Sequence, residues 1–304
     1  MTIIETRDLT KRYRRQLAVD RISFTVEAGQ VFGFLGPNGS GKTTTIGMLL
    51  GITTPTAGEF RLFGEKGRGS LHRVRRRVGA TLEQPNFYPY LSGYDNLRIA
   101  ANVKGVGAAR IDESLEVVRL TGRARDRYRT YSLGMKQRLA LAATILGDPD
   151  LIILDEPANG LDPEGMREIR EIIVELGQRG KTIFLSSHLL HEVERMCTHV
   201  AVIRKGKIIR QASVHDMLAA NVVAELRGPD PVALGRAAGE YPGAVGACRE
   251  DDGAVVVRLD DSDLGALNRY LAGRGIYVSH LGVRRRSLED AFMEITTAGE
   301  EVAA

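Results

Sequence analysis

Nine residues, Gly36 to Thr44, read GPNGSGKTT and contain the spacing G-x-x-x-x-G-K-T through Gly41, Lys42 and Thr43. Glycines at this density let a backbone turn tightly enough for successive N–H groups to point at one anion. A helix starting at the end of the turn adds its positive end. Gly36, Pro37, Asn38, Gly39, Ser40, Gly41, Thr43 and Thr44 are therefore candidate phosphate contacts. Lys42 has the reach for β- and γ-phosphates, and the Thr43 hydroxyl is placed to ligate Mg²⁺.

A second chemical group lies in LIILDEP, Leu151 to Pro157. An acid at the end of a buried apolar strand stands at the carboxyl edge of a sheet, where open α/β folds bind ligands. Asp155 is placed to hold Mg²⁺ through water, and Glu156, one residue on, to polarise an attacking water. The alternative is two acids capping the following helix. His188 closes FLSSH after the next apolar run and is expected at the same edge. His72, His191, His199, His215 and His280 have no such placement. In YSLGMKQRLALA, Tyr131 to Ala142, a serine and a glycine stand where a helix begins, a second natural place for an anion.

The elements that must position these groups read as α/β. VFGFL, Val31 to Leu35, is a buried strand entering the glycine loop, and Thr43 to Leu50 a helix leaving it. Leu151–Leu154 and Thr182–Leu185 are apolar runs of the kind found in a parallel sheet covered on both faces, and Pro163–Leu176 is the helix joining them. Arg98 to Leu146 is helical in pattern, a helical insertion beside the sheet. From residue 216 to 304 the order changes. Strands are expected at Val222–Arg227, Ala244–Arg249, Ala254–Leu259 and Tyr277–Val283, with helices at Pro231–Glu240 and Asp263–Gly273. That β-α-β-β-α-β order predicts a small α+β, ferredoxin-like domain, followed by a last helix, Ser287–Ile295.

Composition agrees with a globular chain: 43% of 304 residues are hydrophobic and 26% charged. Forty-two basic against 38 acidic residues leave +4, too small an excess to imply nucleic acid. The clusters at Arg73–Arg77 and Arg284–Arg286 read as solvated faces, or as faces near anionic headgroups. Cys197 and Cys248 lack metal-ligand spacing and are expected to be reduced. No run approaches the eighteen or so apolar residues of a membrane span, so the chain is not expected to cross a membrane alone.

Taken in order, GPNGSGKTT, YSLGMKQRLALA, LIILDEP, NGLDP (Asn159–Pro163) and FLSSH resemble the motifs of the ATP-binding subunit of ABC transporters. The resemblance covers residues 1–215 and implies a P-loop NTPase sheet with a helical subdomain, binding ATP and Mg²⁺. It implies Lys42, Glu156 and His188 as catalytic residues. It further implies that Ser132, Gly134 and Asp162 act in trans, on the ATP held by a second, head-to-tail subunit. Tyr13 matches the aromatic on which adenine stacks. The segment Thr81–Tyr90 matches the loop that senses the γ-phosphate; its glutamine position, counted from Gly79, holds Glu83, with Gln84 next. Glu83 is favoured on spacing, and its carboxylate suits a hard cation. The reading SLGMK, with Met135 and Lys136 in place of the commoner glycine and glutamine, resembles subunits of drug and antibiotic exporters of the daunorubicin or bacitracin type. The implied partners are a second copy of the chain and a separate ABC-2-type membrane permease, at the cytoplasmic face of the membrane, with no nucleic acid. The activity implied is ATP hydrolysis driving export of a small amphipathic molecule such as an antibiotic, drug, peptide or lipid. The rival reading is a soluble ABC ATPase of a ribosome or nucleic-acid machine.

Overall fold

The computed structural model describes residues 1–82, 86–219, 222–245, 249–251, 253–260, 263–284 and 287–293. Glu83, Gln84, Cys248, Arg285, Arg286 and the end of the expected last helix lie outside the described residues. The chain divides into two compact units, meeting in sequence at Val214 and His215.

The first unit begins β1 (Thr2–Tyr13), β2 (Gln16–Glu27), β3 (Val31–Leu35), α1 (Lys42–Leu49), β4 (Ala57–Leu62), β5 (Glu65–Lys66), α2 (Leu71–Val74) and β6 (Val78–Thr81). Three helices follow: α3 (Gly93–Lys104), α4 (Ala108–Val117) and α5 (Leu133–Ile145). Then come β7 (Leu151–Asp155), α6 (Pro163–Gln178), β8 (Thr182–Ser187), α7 (Leu190–Met196), β9 (His199–Arg204) and β10 (Lys207–Ser213). A six-stranded sheet has the order β10-β9-β3-β8-β7-β6 and is parallel apart from β10. Both neighbours of β3 come from late in the chain, so the loop leaving β3 opens where strand order reverses, the usual ligand crevice of such sheets.

A four-stranded antiparallel sheet, β2-β1-β4-β5, completes this unit. No strand ahead of Val31 is among those expected from sequence, yet β2 alternates: Ile22, Phe24 and Val26 are buried and their neighbours are not. Phe24 meets the rings of Phe32, Phe34 and Phe184 at centroid distances of 5.4–6.0 Å. One face of β3 thus carries two phenylalanines against the antiparallel sheet. Its other face carries Gly33, where a Cβ would stand 2.8 Å from a Val193 methyl, so α7 packs directly on the strand. The expected helical stretch is present as α3, α4 and α5. Ser92 caps α3 by accepting from Asp95 N–H, and Gly105 closes it in the left-handed region.

Past α8 (Val214–Ala219), the second unit contains β11 (Val222–Arg227), α9 (Pro231–Gly239), β12 (Arg249–Asp251), β13 (Ala254–Leu259), α10 (Leu264–Ala272) and β14 (His280–Arg284). Its sheet order, β12-β13-β11-β14 with every neighbour antiparallel, is that of two interleaved β-α-β halves, the ferredoxin-like arrangement. Leu226, Leu234, Val257, Leu259, Leu267 and Leu271 fill its core. The last strand starts three residues later than expected. Pairing begins at His280 opposite Arg227, where β11 ends, so Tyr277 has no strand beside it and stands exposed. Residues 288–293 are helical, the described part of the expected last helix.

Candidate functional site

Leu35 delivers the chain into the glycine loop, which is tied at both ends to the sheet. Gly36 N–H donates to Ser187 O at the end of β8 (3.2 Å), and Gly206 N–H to Ser40 O (3.0 Å). Gly36 tolerates no side chain: a Cβ would lie 2.2 Å from Ile203 O and 2.8 Å from Ser40 Oγ. Gly41, at φ 110°, would place a Cβ 2.6 Å from Ala18 O, so the start of β2 presses on the loop from outside. Since backbone meets backbone at Gly36, Gly36→Ala is expected to cost about 2–3 kcal/mol. An unchanged urea midpoint for that variant would refute the packing argument.

Lys42 is 5% exposed, and its ammonium donates to Gly36 O (2.7 Å) and Pro37 O (3.2 Å) while lying 3.1 Å from Glu156 Oε1. The lip of the loop, Pro37, Asn38 and Gly39, is open to solvent, as is Thr43; Thr44 is half-buried. Inside it the Ser40 hydroxyl is buried with no hydrogen-bond partner among the described residues. A cradle with an orphaned hydroxyl, a buried ammonium and two positions closed to any Cβ fits an anion with several oxygens.

The strand β7 is buried throughout and ends on Asp155. The Ser186 hydroxyl donates to Asp155 Oδ1, and its oxygen accepts Glu156 N–H at 3.0 Å. This clamp holds Glu156 at φ 50°, a left-handed conformation unusual for a glutamate and of the kind that gathers at functional sites. Turned this way, Glu156 sets one carboxylate oxygen toward Lys42 and the other 2.8 Å from His188 Nδ1. A carboxylate only accepts, so the imidazole donates from Nδ1. Among the described residues Glu156 Oε1 finds no hydrogen bond of good geometry despite its nearby cation. Lys42, Glu156 and His188 thus form one chain of contacts, as their sequence placement at the sheet edge anticipates. Ser186 was missed; the paired serines of FLSSH are the signal that could have found it.

The residues expected to act in trans form a second group. Ser132 caps α5, accepting Met135 N–H at 3.2 Å, and Asp162 caps α6, accepting Gly165 N–H at 3.1 Å. Both caps are exposed. A Cβ on Gly134 would lie 3.7 Å from Gly165 Cα, and one on Gly160 would lie 3.6 Å from Leu133 Cδ2. SLGMK and NGLDP therefore abut, and two helix N-termini open side by side. Asp162 and its neighbour Pro163 also follow the preference of helix starts for an acid cap and proline at the first position. Tyr13 is 45% exposed at the end of β1, with the Lys11 ammonium 4.8 Å above its ring. It pairs with Gln16, two residues before the Ala18 that touches Gly41.

Among the described residues, no group of three or more His, Cys, Asp or Glu side chains could cage a metal. Thr43 and Asp155 offer a hydroxyl and a carboxylate, hard oxygen donors of the kind that suit Mg²⁺ bound in company with phosphates. Among the same residues no helix is long and apolar enough to cross a membrane. Cys197 is buried and its thiol is pushed far up by desolvation, a packing residue under β3 with little thiolate.

Comparison with known proteins agrees with this geometry. The sequence pattern of the family described as "ABC transporter" matches residues 19–159. The bacitracin transport ATP-binding protein BcrA of Bacillus licheniformis is 38% identical over 301 residues, 98% of each chain. The Nod factor export ATP-binding protein I of Ralstonia nicotianae is 41% identical over 239 residues, 76% of this chain and 74% of its own. A solved ATP-binding subunit of an ABC transporter superposes with a TM-score of 0.63 at 30% identity, covering 71% of this chain and 91% of that one. With the cradle, the acids of β7 and identity sustained along almost the whole of a relative's length, this chain belongs to the ABC transporter family as an ATP-binding, ATP-hydrolysing subunit.

Proposed function

We propose that the chain powers export of a small amphipathic molecule through a separate permease, by closing and opening a head-to-tail pair of its own copies around two ATP molecules. The observation that carries the catalytic half is the Lys42–Glu156–His188 chain of contacts at the carboxyl edge of the sheet. The loop Gly36–Thr44 cradles the phosphates, Tyr13 stacks on adenine, and Glu83 or Gln84 senses the γ-phosphate. Thr43 and Asp155, with Glu83, would hold Mg²⁺, whose chemistry here is to neutralise phosphate charge. A water oxygen bonds to the γ-phosphorus as the bond to the bridging oxygen breaks; Glu156 takes the water's proton, and His188 keeps the carboxylate aimed.

Ser132, Gly134 and Asp162 serve the partner's ATP. Each phosphate chain then joins two subunits, and hydrolysis removes the shared charge, so nucleotide favours the closed pair only while the γ-phosphate is attached. Export is supported by the relatives named for bacitracin transport and for Nod factor export. The permease would be of the ABC-2 type, with this chain peripheral at the cytoplasmic face and residues 216–304 an accessory domain. The test is to tag Glu156→Gln, add ATP and Mg²⁺, extract membranes in mild detergent and identify retained proteins by mass spectrometry. A polytopic permease is expected. Ribosomal or DNA-associated proteins without one would overturn the export reading.

A further inference from the structure

The first turn of α5 contains no acid to offset its positive end. It contains Lys136 instead, four residues after Ser132 and hydrogen-bonded to it through Lys136 N–H and Ser132 O (3.0 Å). Residues four apart share a helix face, and side chains lean toward the N-terminus, so a lysine here can carry its ammonium back over the serine cap. A cation at this end of a helix opposes the dipole, which costs rather than contributes stability. Among the described residues no carboxylate pairs with it. Its ammonium rests 5.4 Å above the Tyr128 ring, and Tyr128 is itself buried against Phe87 and Tyr131. Lys136 is only half-buried, so its four-carbon stem is free to swing.

We propose that Lys136 is a further phosphate-binding residue of the clamp, held on the Tyr128 ring until the partner's γ-phosphate arrives and then paired with it. This rests on the trans reading of Ser132 and Gly134 given above. It adds a full positive charge to a clamp whose other members are backbone dipoles, the Ser132 hydroxyl and the Asp162 carboxylate. A rotation of the side chain exchanges a cation–π contact for a charge-assisted hydrogen bond, which is the stronger of the two. No bond is made or broken.

The test uses the full chain carrying Glu156→Gln, with ATP and Mg²⁺, and reads the pairing constant by sedimentation at about 50 and about 300 mM salt, where screening differs strongly. Adding Lys136→Gln is expected to weaken pairing about tenfold at low salt and to flatten its salt dependence, whereas Lys136→Arg stays near the parent. Equal pairing and equal salt dependence in Lys136→Gln would overturn the proposal. So would weakening of the same size at both salts, since loss of packing on Tyr128 is not screened. A parent that never pairs in ATP would overturn the trans reading itself, and this assignment with it. A parent that pairs while Lys136→Gln matches it removes Lys136 alone.

Discussion

Replacing Glu156 by glutamine is expected to lower ATP turnover by about 100- to 10,000-fold, the usual contribution of a positioned general base. The amide occupies the same volume and can stay beside His188, so the left-handed turn held by Ser186 has no reason to move. What disappears is the ability to take a proton from water. Nucleotide affinity is expected to hold or to rise. In the structure one carboxylate oxygen lies 3.1 Å from the Lys42 ammonium, and an incoming phosphate must compete with that attraction. Phosphate release and nucleotide titration on the same preparation separate the two effects. Turnover close to that of the parent would remove Glu156 from the catalytic role.

Lys42→Ala has the opposite signature. A hydrogen bond to a charged group contributes about 1.5–3 kcal/mol, so ATP is expected to bind about 10- to 100-fold more weakly. The loss is enlarged because Lys42 is nearly enclosed, and its removal leaves Gly36 O, Pro37 O and Glu156 without their ammonium. Without the ammonium, Glu156 also faces the phosphates as an unneutralised negative charge. Calorimetric titration reads the affinity, and thermal unfolding gives an independent check. Ligand stabilisation follows RT ln(1 + [L]/Kd), so with ATP at about 100 times the parent's Kd the stabilisation by nucleotide should fall from about 2.7 kcal/mol to between about 1.4 and 0.4 kcal/mol, with a correspondingly smaller rise in melting temperature. Undiminished affinity would show that the loop's N–H groups hold the phosphates unaided.

The cradle and the acids of β7 were legible because each is written locally. A buried parallel strand is a continuous apolar run, VFGFL or LIIL, and its end is marked by the first polar residue. The antiparallel sheet was harder. Its strands bury one face, and the register shifts against β2 break the alternation of β1, leaving the short run Ile22, Phe24 and Val26 to announce the sheet. Nor does sequence spacing show that SLGMK and NGLDP touch, because that contact depends on how α5 packs on α6. The turn at Glu156 was invisible for another reason. A left-handed glutamate is held by a serine some thirty residues onward, and nothing near Glu156 marks it. The start of the last strand, expected at Tyr277 and found at His280, was hidden in a similar way: an apolar residue is a strand residue only where a partner strand extends to meet it.

The central strand β3 has a consequence for how the chain is made. It emerges from the ribosome within the first 35 residues, but its strand partners among the described residues are β8 and β9, and Phe24 and Phe32 likewise wait for Phe184. At about 5–20 residues per second, the nascent cradle has no sheet to anchor it for roughly 7–30 s. During that interval an apolar strand and a glycine loop are exposed together, a natural substrate for chaperones and a slow, non-local closure. Residues 215–294 follow the last strand of that sheet, so translation completes the nucleotide site before the second unit has begun to fold.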